Sequence, residues 1–312
     1  MAASQFIYTY IRHRDEQELC RMEMRAFFGR DVQDNALISD VEINPSRSPF
    51  IKERLEVWIQ GNTFDSLAEQ AAELAVEQTF KTTCLNDMEL TGTPKIGHAK
   101  RREIERKVGL RITGVPELDD PELLIGIVQL NERWYAGKLT ESSSDWHVHQ
   151  QKPHMYSTAL GTRLARAAVN IAVPHPEGLR VIDPCCGIGT VLVEALSMGI
   201  QIEGRDINPL VVYGSRKNIA YFDLEGDVTI GPIAEVNEQY DVAIIDMPYN
   251  LFTHITAEGQ LAILKEARRF AKGCLFITIE NIDGMLKEAG FTITDRCLAH
   301  KGTFSREVVW CT

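Results

Sequence analysis

From residue 179 onward the chain alternates strand-like apolar runs with helix-like ones, and this rhythm limits the fold more than any other feature. Leu179 to Asp183 reads as a buried strand, followed by a glycine-rich turn and a helix from Thr190 to Met198. Ile200 to Asp206 and Val211 to Tyr221 repeat the pattern, and Thr158 to Ala172 precedes it as an amphipathic helix. Strands at 228–230 and 241–246 are followed by a helix at 258–270 and strands at 273–279, 291–298 and 307–310. Such alternation predicts βαβ units and a mainly parallel sheet. No long helix separates the last two strands, which predicts an antiparallel hairpin at one edge of a mixed sheet.

The first 140 residues are less regular. Phe6 to Ile11 is a β-rich run, and Glu16 to Phe28 places Leu19, Met22, Met24 and Phe27 at helical spacing. Leu55 to Ile59 alternates like a half-buried strand. A helix is predicted over 64–76, capped by Asn62 or Thr63, with a strand at 79–84 and a helix at 99–108. Residues 123–128 and 134–139 read as paired strands around Asn131-Glu132. The polar stretch Glu141-Ser142-Ser143-Ser144-Asp145 is the expected linker, giving domains 1–145 and 146–312.

Composition narrows the class. The chain has 312 residues, 44% hydrophobic and 25% charged, as in ordinary globular proteins of two domains. No apolar run approaches the ~20 residues of a membrane span. The start, Met-Ala-Ala-Ser-Gln-Phe-Ile-Tyr-Thr-Tyr, lacks the basic and apolar regions of a secretion signal, so a cytoplasmic location and no membrane partner are expected. Seven cysteines occur without a Cys-x-x-Cys pair, and His147, His149 and His154 lack an evident fourth ligand; no metal is expected. The net charge of −11 argues against a generally basic, nucleic-acid-coating surface, but local patches matter more than the sum.

Asp183-Pro184-Cys185-Cys186-Gly187-Ile188-Gly189-Thr190 lies between a strand and a helix. In open α/β sheets ligands bind beyond the carboxyl ends of the strands. Gly187 and Gly189 allow a tight turn, and Thr190 is a candidate cap. A bare Gly-x-Gly is more often an ordinary βα turn. Two acids add weight: Asp183 closes its strand just before the glycines, and Asp206 closes the next strand about 20 residues later, where a carboxylate reaches ribose hydroxyls. A ligand with an ammonium, a sulfonium and a ribose, and without a phosphate, fits this pair; S-adenosylmethionine is such a molecule.

Asp246-Met247-Pro248-Tyr249 ends a later strand at the same rim. An exocyclic amine of a nucleobase is a poor nucleophile until it pyramidalises. A carboxylate accepting one of its N–H bonds, and a carbonyl held by the Met-Pro unit accepting the other, favour that change. Tyr249 offers a face on which an extruded base can stack. In isolation the four residues are equally a strand-to-loop turn with an ordinary packing tyrosine.

Lys100, Arg101, Arg102, Arg106 and Lys107 lie in the only dense basic stretch, with Glu103 and Glu105 interspersed. Arg102 and Arg106 share a helix face. The stretch is either a solvated helix or a phosphate-binding one.

Asp183-Pro184-Cys185-Cys186-Gly187-Ile188-Gly189-Thr190, Gly204-Arg205-Asp206-Ile207-Asn208 and Asp246-Met247-Pro248-Tyr249 together resemble class I S-adenosylmethionine-dependent methyltransferases that methylate amines. Gln151 to Ser157, Leu164-Ala165-Arg166-Ala167 and His300 to Arg306 extend the resemblance to the tRNA guanine N2-methyltransferases of the guanosine-10 type, which carry a THUMP region. Asp119 to Leu123 and Trp134 to Gly137 are diffusely similar to the end of such a region. The resemblance implies a Rossmann-like, mixed but mainly parallel seven-stranded sheet, preceded by an α+β region, ferredoxin-like plus THUMP-like, that binds RNA. It implies tRNA as partner, Asp246, Met247, Pro248 and Tyr249 as catalytic residues, and Lys100, Arg101, Arg102, Arg106 and Lys107 as RNA contacts. For S-adenosylmethionine it implies Tyr156, Asp183, Pro184, Cys186, Gly187, Gly189, Thr190, Asp206 and Ile207. An adenine N6-methyltransferase and a non-catalytic RNA-binding protein with a relict domain are the alternatives. The sequence carries no indication of an activating subunit. Three departures from the family pattern stand out. Met247 replaces a proline, Asn250 stands where glycine is usual, and no acid follows Val228-Thr229-Ile230 to meet adenine.

Overall fold

The computed structural model describes residues 4–32, 34–86, 88–90, 93–155, 159–248, 255–301 and 304–312. In chain order the first half holds β1 (Phe6–Tyr10), α1 (Gln17–Phe28), β2 (Ala36–Ser39), β3 (Ile51–Gly61), α2 (Phe64–Ala71), β4 (Phe80–Cys84), α3 (His98–Gly109), β5 (Leu123–Leu130) and β6 (Arg133–Glu141). Contacts divide the chain into two compact units. One comprises 1–11, 32–46 and 50–143; the other comprises 12–31, 47–49 and 144–312. Where the sequence suggests one cut near residue 145, the units interleave, because α1 packs with the elements after residue 144.

The first unit is a six-stranded sheet in the order β2-β1-β3-β6-β5-β4, antiparallel except for the β4–β5 pair. Helices α2 and α3 bury Leu67, Ala71, Ile104 and Val108 against Phe80, Ile125, Ile127 and Trp134 of this sheet. Thr63 caps α2 by accepting the Ser66 N–H at 3.1 Å, as its position suggests. The helix predicted to reach residue 76 stops at Ala71. Leu74 and Val76 instead exchange backbone hydrogen bonds with Thr113, so pairing with an extended segment outcompetes further helix there. β2 has too few residues to alternate visibly, so no sequence pattern marks it.

The second unit continues with α4 (Thr162–Ala172), β7 (Val181–Asp183), α5 (Thr190–Ser197), β8 (Ile202–Asp206), α6 (Pro209–Tyr221), β9 (Val228–Ile230), β10 (Tyr240–Asp246), α7 (Ala257–Phe270), β11 (Ala271–Thr278), α8 (Asp283–Glu288), β12 (Ile293–Lys301) and β13 (Phe304–Cys311). Its strands order as β12-β13-β11-β10-β7-β8-β9. All neighbours are parallel except β13, which runs antiparallel to β11 and β12. The predicted end hairpin and mainly parallel sheet are therefore present. Ile182, Ala243, Ile245 and Phe276 meet Leu264, Ala267 and Phe270 of α7 in a buried layer. No helix among the described residues is long and apolar enough to cross a membrane.

A buried polar knot ties α1 into this unit. Asn170 Nδ2 donates to Glu23 Oε1 at 2.7 Å and to the Arg47 carbonyl at 2.8 Å, while Arg47 Nη2 donates to Asn170 Oδ1 at 3.2 Å. Ser48 Oγ donates to the other Glu23 oxygen. Burial pushes the Glu23 carboxyl up to about 7, against the lowering effect of these hydrogen bonds. Arg25 grips Asp295 with two N–H bonds of 2.9 and 2.8 Å. Replacing Asn170 by Leu removes a partner from two buried groups at once, so Asn170→Leu should lower the urea-unfolding free energy by about 2–3 kcal/mol. An unchanged midpoint would show that the knot contributes nothing.

Candidate active site

Four strand ends and the turns that follow them build a cavity of about 640 Å³ in the second unit. β7, β8 and β10 end in Asp183, Asp206 and Asp246, and these three strands are adjacent in the order β10-β7-β8. All three acids line the cavity, with Pro184, Cys185, Cys186, Gly187 and Ile188 of the first turn. Leu160, Val191, Val211, Pro232, Ile233 and Met247 supply apolar walls.

The glycine turn is held tightly. Gly187 and Gly189 have φ of +51° and +77°, the left-handed region that favours glycine. A Cβ on Gly189 would lie 2.2 Å from Ser215 Oγ, so α5 and α6 approach closely only because that side chain is absent. Asp206 Oδ2 accepts the Gly187 N–H and its Oδ1 the Asn208 N–H, each at 2.9 Å. The acid expected to meet ribose thus also pins the turn, and each oxygen keeps a further lone pair. Asn208 caps α6 through Leu210 N–H at 3.0 Å. Thr190 is not a cap: Gly189 holds that position, and Thr190 is the first helical residue. Its hydroxyl is buried without a hydrogen-bond partner among the described residues, and the residue lines the cavity.

Asp183 is 3% exposed and accepts the Cys185 N–H at 3.2 Å. Burial raises its carboxyl well above the ordinary range, and the charges of Asp206 and Asp246 add to the effect. Asp246 is pushed up to about 7 by burial, partly opposed by Arg306. Its Oδ1 is buried with no hydrogen-bond partner among the described residues. Burial likewise holds Cys185 and Cys186 as neutral thiols.

Met247 stands where a rigid proline was expected, and packing does the stiffening. The residue is 1% exposed in the core, and its N–H donates to the Ile277 carbonyl at 2.8 Å. The Pro248 carbonyl accepts Nε2 of the buried Gln260 at 3.2 Å. Ile207 is 69% exposed at the rim of the cavity. Tyr156 and Tyr249 lie outside the described residues.

The sequence reading missed Asn218. It is fully buried on α6, donates to the carbonyls of His154 and Ile188 at 3.0 and 2.9 Å, and accepts the His154 N–H at 3.0 Å. It thereby joins the segment before α4 to the glycine turn. Gln260 and Ser215 were missed as well; buried polar residues on a helix carry no local signal of what they will face. Of the three histidines, His149 is buried and its Nδ1 lies 2.8 Å from Glu194.

In the first unit, Lys100, Arg101, Arg102, Arg106 and Lys107 all lie on α3. Glu103 is shared by Lys107 at 2.8 Å and Lys100 at 2.9 Å, and these two ammonium groups hold its exposed carboxyl down to about 2. Glu105 Oε1 accepts the Cys84 N–H at 3.0 Å, and its Oε2 lies 3.5 Å from Arg102 Nη1. Arg101 and Arg102 line a recess with Lys81, Thr82, Thr83 and His98.

The fit to a cofactor follows from the walls. Among the described lining residues there is no Lys, Arg or His, and there are three carboxylates. A pyrophosphate would meet repulsion here, whereas an ammonium and a sulfonium would relieve it. The strand order, the antiparallel β13 inserted beside β11, and acids on successive strand ends define the class I methyltransferase fold. Residues 150–267 match the UPF0020 family, described as an RMKL-like methyltransferase domain. The chain is 30% identical over 181 residues to a tRNA (guanine(10)-N2)-dimethyltransferase of Methanothermobacter thermautotrophicus, a match covering 54% of each chain. It is 27% identical over 169 residues to the enzyme of that name from Methanocaldococcus jannaschii, covering 48% of each. The matches thus span about half the length of these curated relatives. The solved structure of TrmN from Thermus thermophilus aligns over 98% of this chain and 99% of its own, with 16% identity and a TM-score of 0.49.

The buried acid makes a stability prediction. The carboxyl of Asp246 titrates near 7 in the fold and near 3.9 in an unfolded chain, so between about pH 4 and 7 the folded state holds the extra proton. Stability from this group is therefore full below that window and falls as pH rises through it. Urea midpoints of the ligand-free protein should decline from pH 5 to 7.5, and the decline should be shallower in Asp246→Asn. Identical slopes would show that Asp246 is not held in an unfavourable charged state.

Proposed function

We propose that the protein is an S-adenosylmethionine-dependent methyltransferase acting on the exocyclic N2 of a guanosine in tRNA, of the position-10 kind. The observation that carries this reading is the unpartnered buried oxygen of Asp246 beside a cation-seeking cavity, at the end of a strand adjacent to the glycine turn. The names of the curated relatives favour guanine N2 over adenine N6. The open cavity with its three acids speaks against a relict domain.

In this reading the ammonium group is met by Asp183, the ribose by Asp206, and the purine by Pro232 and Ile233, which stand where the family acid is missing. Ile207 at the rim would supply an apolar contact to the ligand. The cofactor supplies a methyl group activated on a sulfonium. Asp246, deprotonated, accepts one N–H of the guanine amine and directs its lone pair towards the methyl. The Asp-Met-Pro backbone supplies a carbonyl for the second N–H, and burial of Met247 and the grip of Gln260 on Pro248 fix that backbone. The proton that the newly methylated amine must lose passes to Asp246, whose raised affinity for protons suits the task. Tyr249 is assigned to base stacking. Orientation of the two reactants provides much of the acceleration.

Within the first 145 residues, the unit formed by 1–11, 32–46 and 50–143 is assigned as a THUMP-like RNA-binding region, with α3 meeting the phosphate backbone of a cytoplasmic tRNA. Asp246→Asn should bind S-adenosylhomocysteine within a few-fold of the parent yet lose about 10²–10⁴ in kcat on unmodified tRNA, measured by methyl incorporation. Full activity in that variant would refute the assigned role. The double change Arg102→Glu with Arg106→Glu should weaken tRNA binding by roughly tenfold at moderate salt and flatten its salt dependence. Cofactor affinity should not move; unaltered tRNA affinity at low salt would remove α3 from the interface.

A further inference from the structure

Among the described lining residues, the cavity wall beyond Asp206 carries no charged group. β7, β8 and β9 are successive strands, so a ligand lying along their carboxyl ends meets the glycine turn, then Asp206, then the turn Gly231-Pro232-Ile233. That third turn offers only backbone and apolar surface. Its usefulness therefore depends on where it is held: it follows a three-residue edge strand, Ile233 packs against the core, and the Glu235 N–H returns to the Pro232 carbonyl at 3.1 Å.

Arg205 adds the side-chain ties that hold the turn to β8. Its Nε donates to the Pro232 carbonyl at 3.0 Å, and its Nη2 pairs with Glu235 Oε2 at 2.9 Å, across both ends of the turn. The side chain is 16% exposed. The same residue reaches the other wall, because its carbonyl accepts the Cys186 N–H at 2.9 Å from the glycine turn. Gly231 N–H donates to the Asp206 carbonyl at 3.0 Å. A Cβ on Gly231, whose φ is +154°, would lie 2.2 Å from Arg205 Nη2. The guanidinium thus occupies the space that any larger residue at 231 would need, and Gly231 and Arg205 act as one unit.

We propose that Arg205 is a positioning residue that sets the purine specificity of the cavity, taking the place of the absent strand-end acid by clamping the Pro232–Ile233 wall from behind. The inference rests on the cofactor reading given above. A planar five-donor fork suits it, since one group must bond a carbonyl and a carboxylate at a fixed angle; an ammonium on a flexible stem does not.

The test compares two ligands that differ only in the base: S-adenosylhomocysteine, and S-ribosylhomocysteine, which lacks the purine. Dissociation constants are measured by calorimetry, with displacement titration for the weaker ligand. Arg205→Met should weaken S-adenosylhomocysteine about tenfold and leave S-ribosylhomocysteine unchanged. Arg205→Lys should remain weakened, because charge alone does not restore the fork. Glu235→Gln lies at an exposed rim and tests the clamp should the Met variant not fold; its selective loss should be about threefold. Equal weakening of both ligands would mean a general structural role, and no weakening of either would mean none; both outcomes overturn the proposal. If the parent protein binds neither ligand, the cofactor reading fails first and the clamp falls with it, a result distinct from selective failure in the variants.

Discussion

Three carboxylates crowd the carboxyl edge of one sheet, and the walls they share carry no positive side chain among the described residues. Two of them are held towards the protonated state by burial, and mutual repulsion reinforces this for Asp183. Like charges brought together in low dielectric are costly unless something neutralises them. The protein supplies partial relief through backbone N–H groups at Cys185, Gly187 and Asn208 and, for Asp246, through the charge of Arg306. The remainder is relief that a cationic ligand can provide. In the proposed reading, this balance favours a sulfonium-bearing cofactor over a phosphate-bearing nucleotide.

The sheet makes the crowding unavoidable. Parallel strands β10, β7 and β8 sit side by side, so a residue at the last position of each points to the same rim. Close packing of α5 against α6, permitted by Gly189, keeps the turn in place. On the other side Met247 and Gln260 anchor the segment that follows Asp246. Each anchor is an apolar contact or a satisfied hydrogen bond, so the site is rigid where it must orient reactants.

Much of this was legible in residue order. The βα rhythm and the absence of a long helix before Glu307 gave the mixed sheet, and glycines flanked by strand-end acids marked the cavity. What escaped were features set by tertiary partners. Helix α1 reads as any amphipathic helix, and nothing local says that Glu23 will meet Asn170, almost 150 residues away. Thr190 looks like a cap because threonine favours that position, yet the left-handed Gly189 takes it. Asp206 reads as a ribose ligand, and only coordinates reveal that it also braces the turn. Arg205 sits inside a recognisable motif but at its variable position, where sequence offers no reason to notice it.

The most direct test of the central claim is proton linkage. Calorimetric titration with S-adenosylmethionine at pH 7, repeated in buffers of different ionisation heat, counts protons exchanged on binding. If buried acids are waiting for a positive ligand, its arrival lowers their proton affinity and net release must be seen, diminished in Asp246→Asn. Zero exchange, or uptake, would contradict the account.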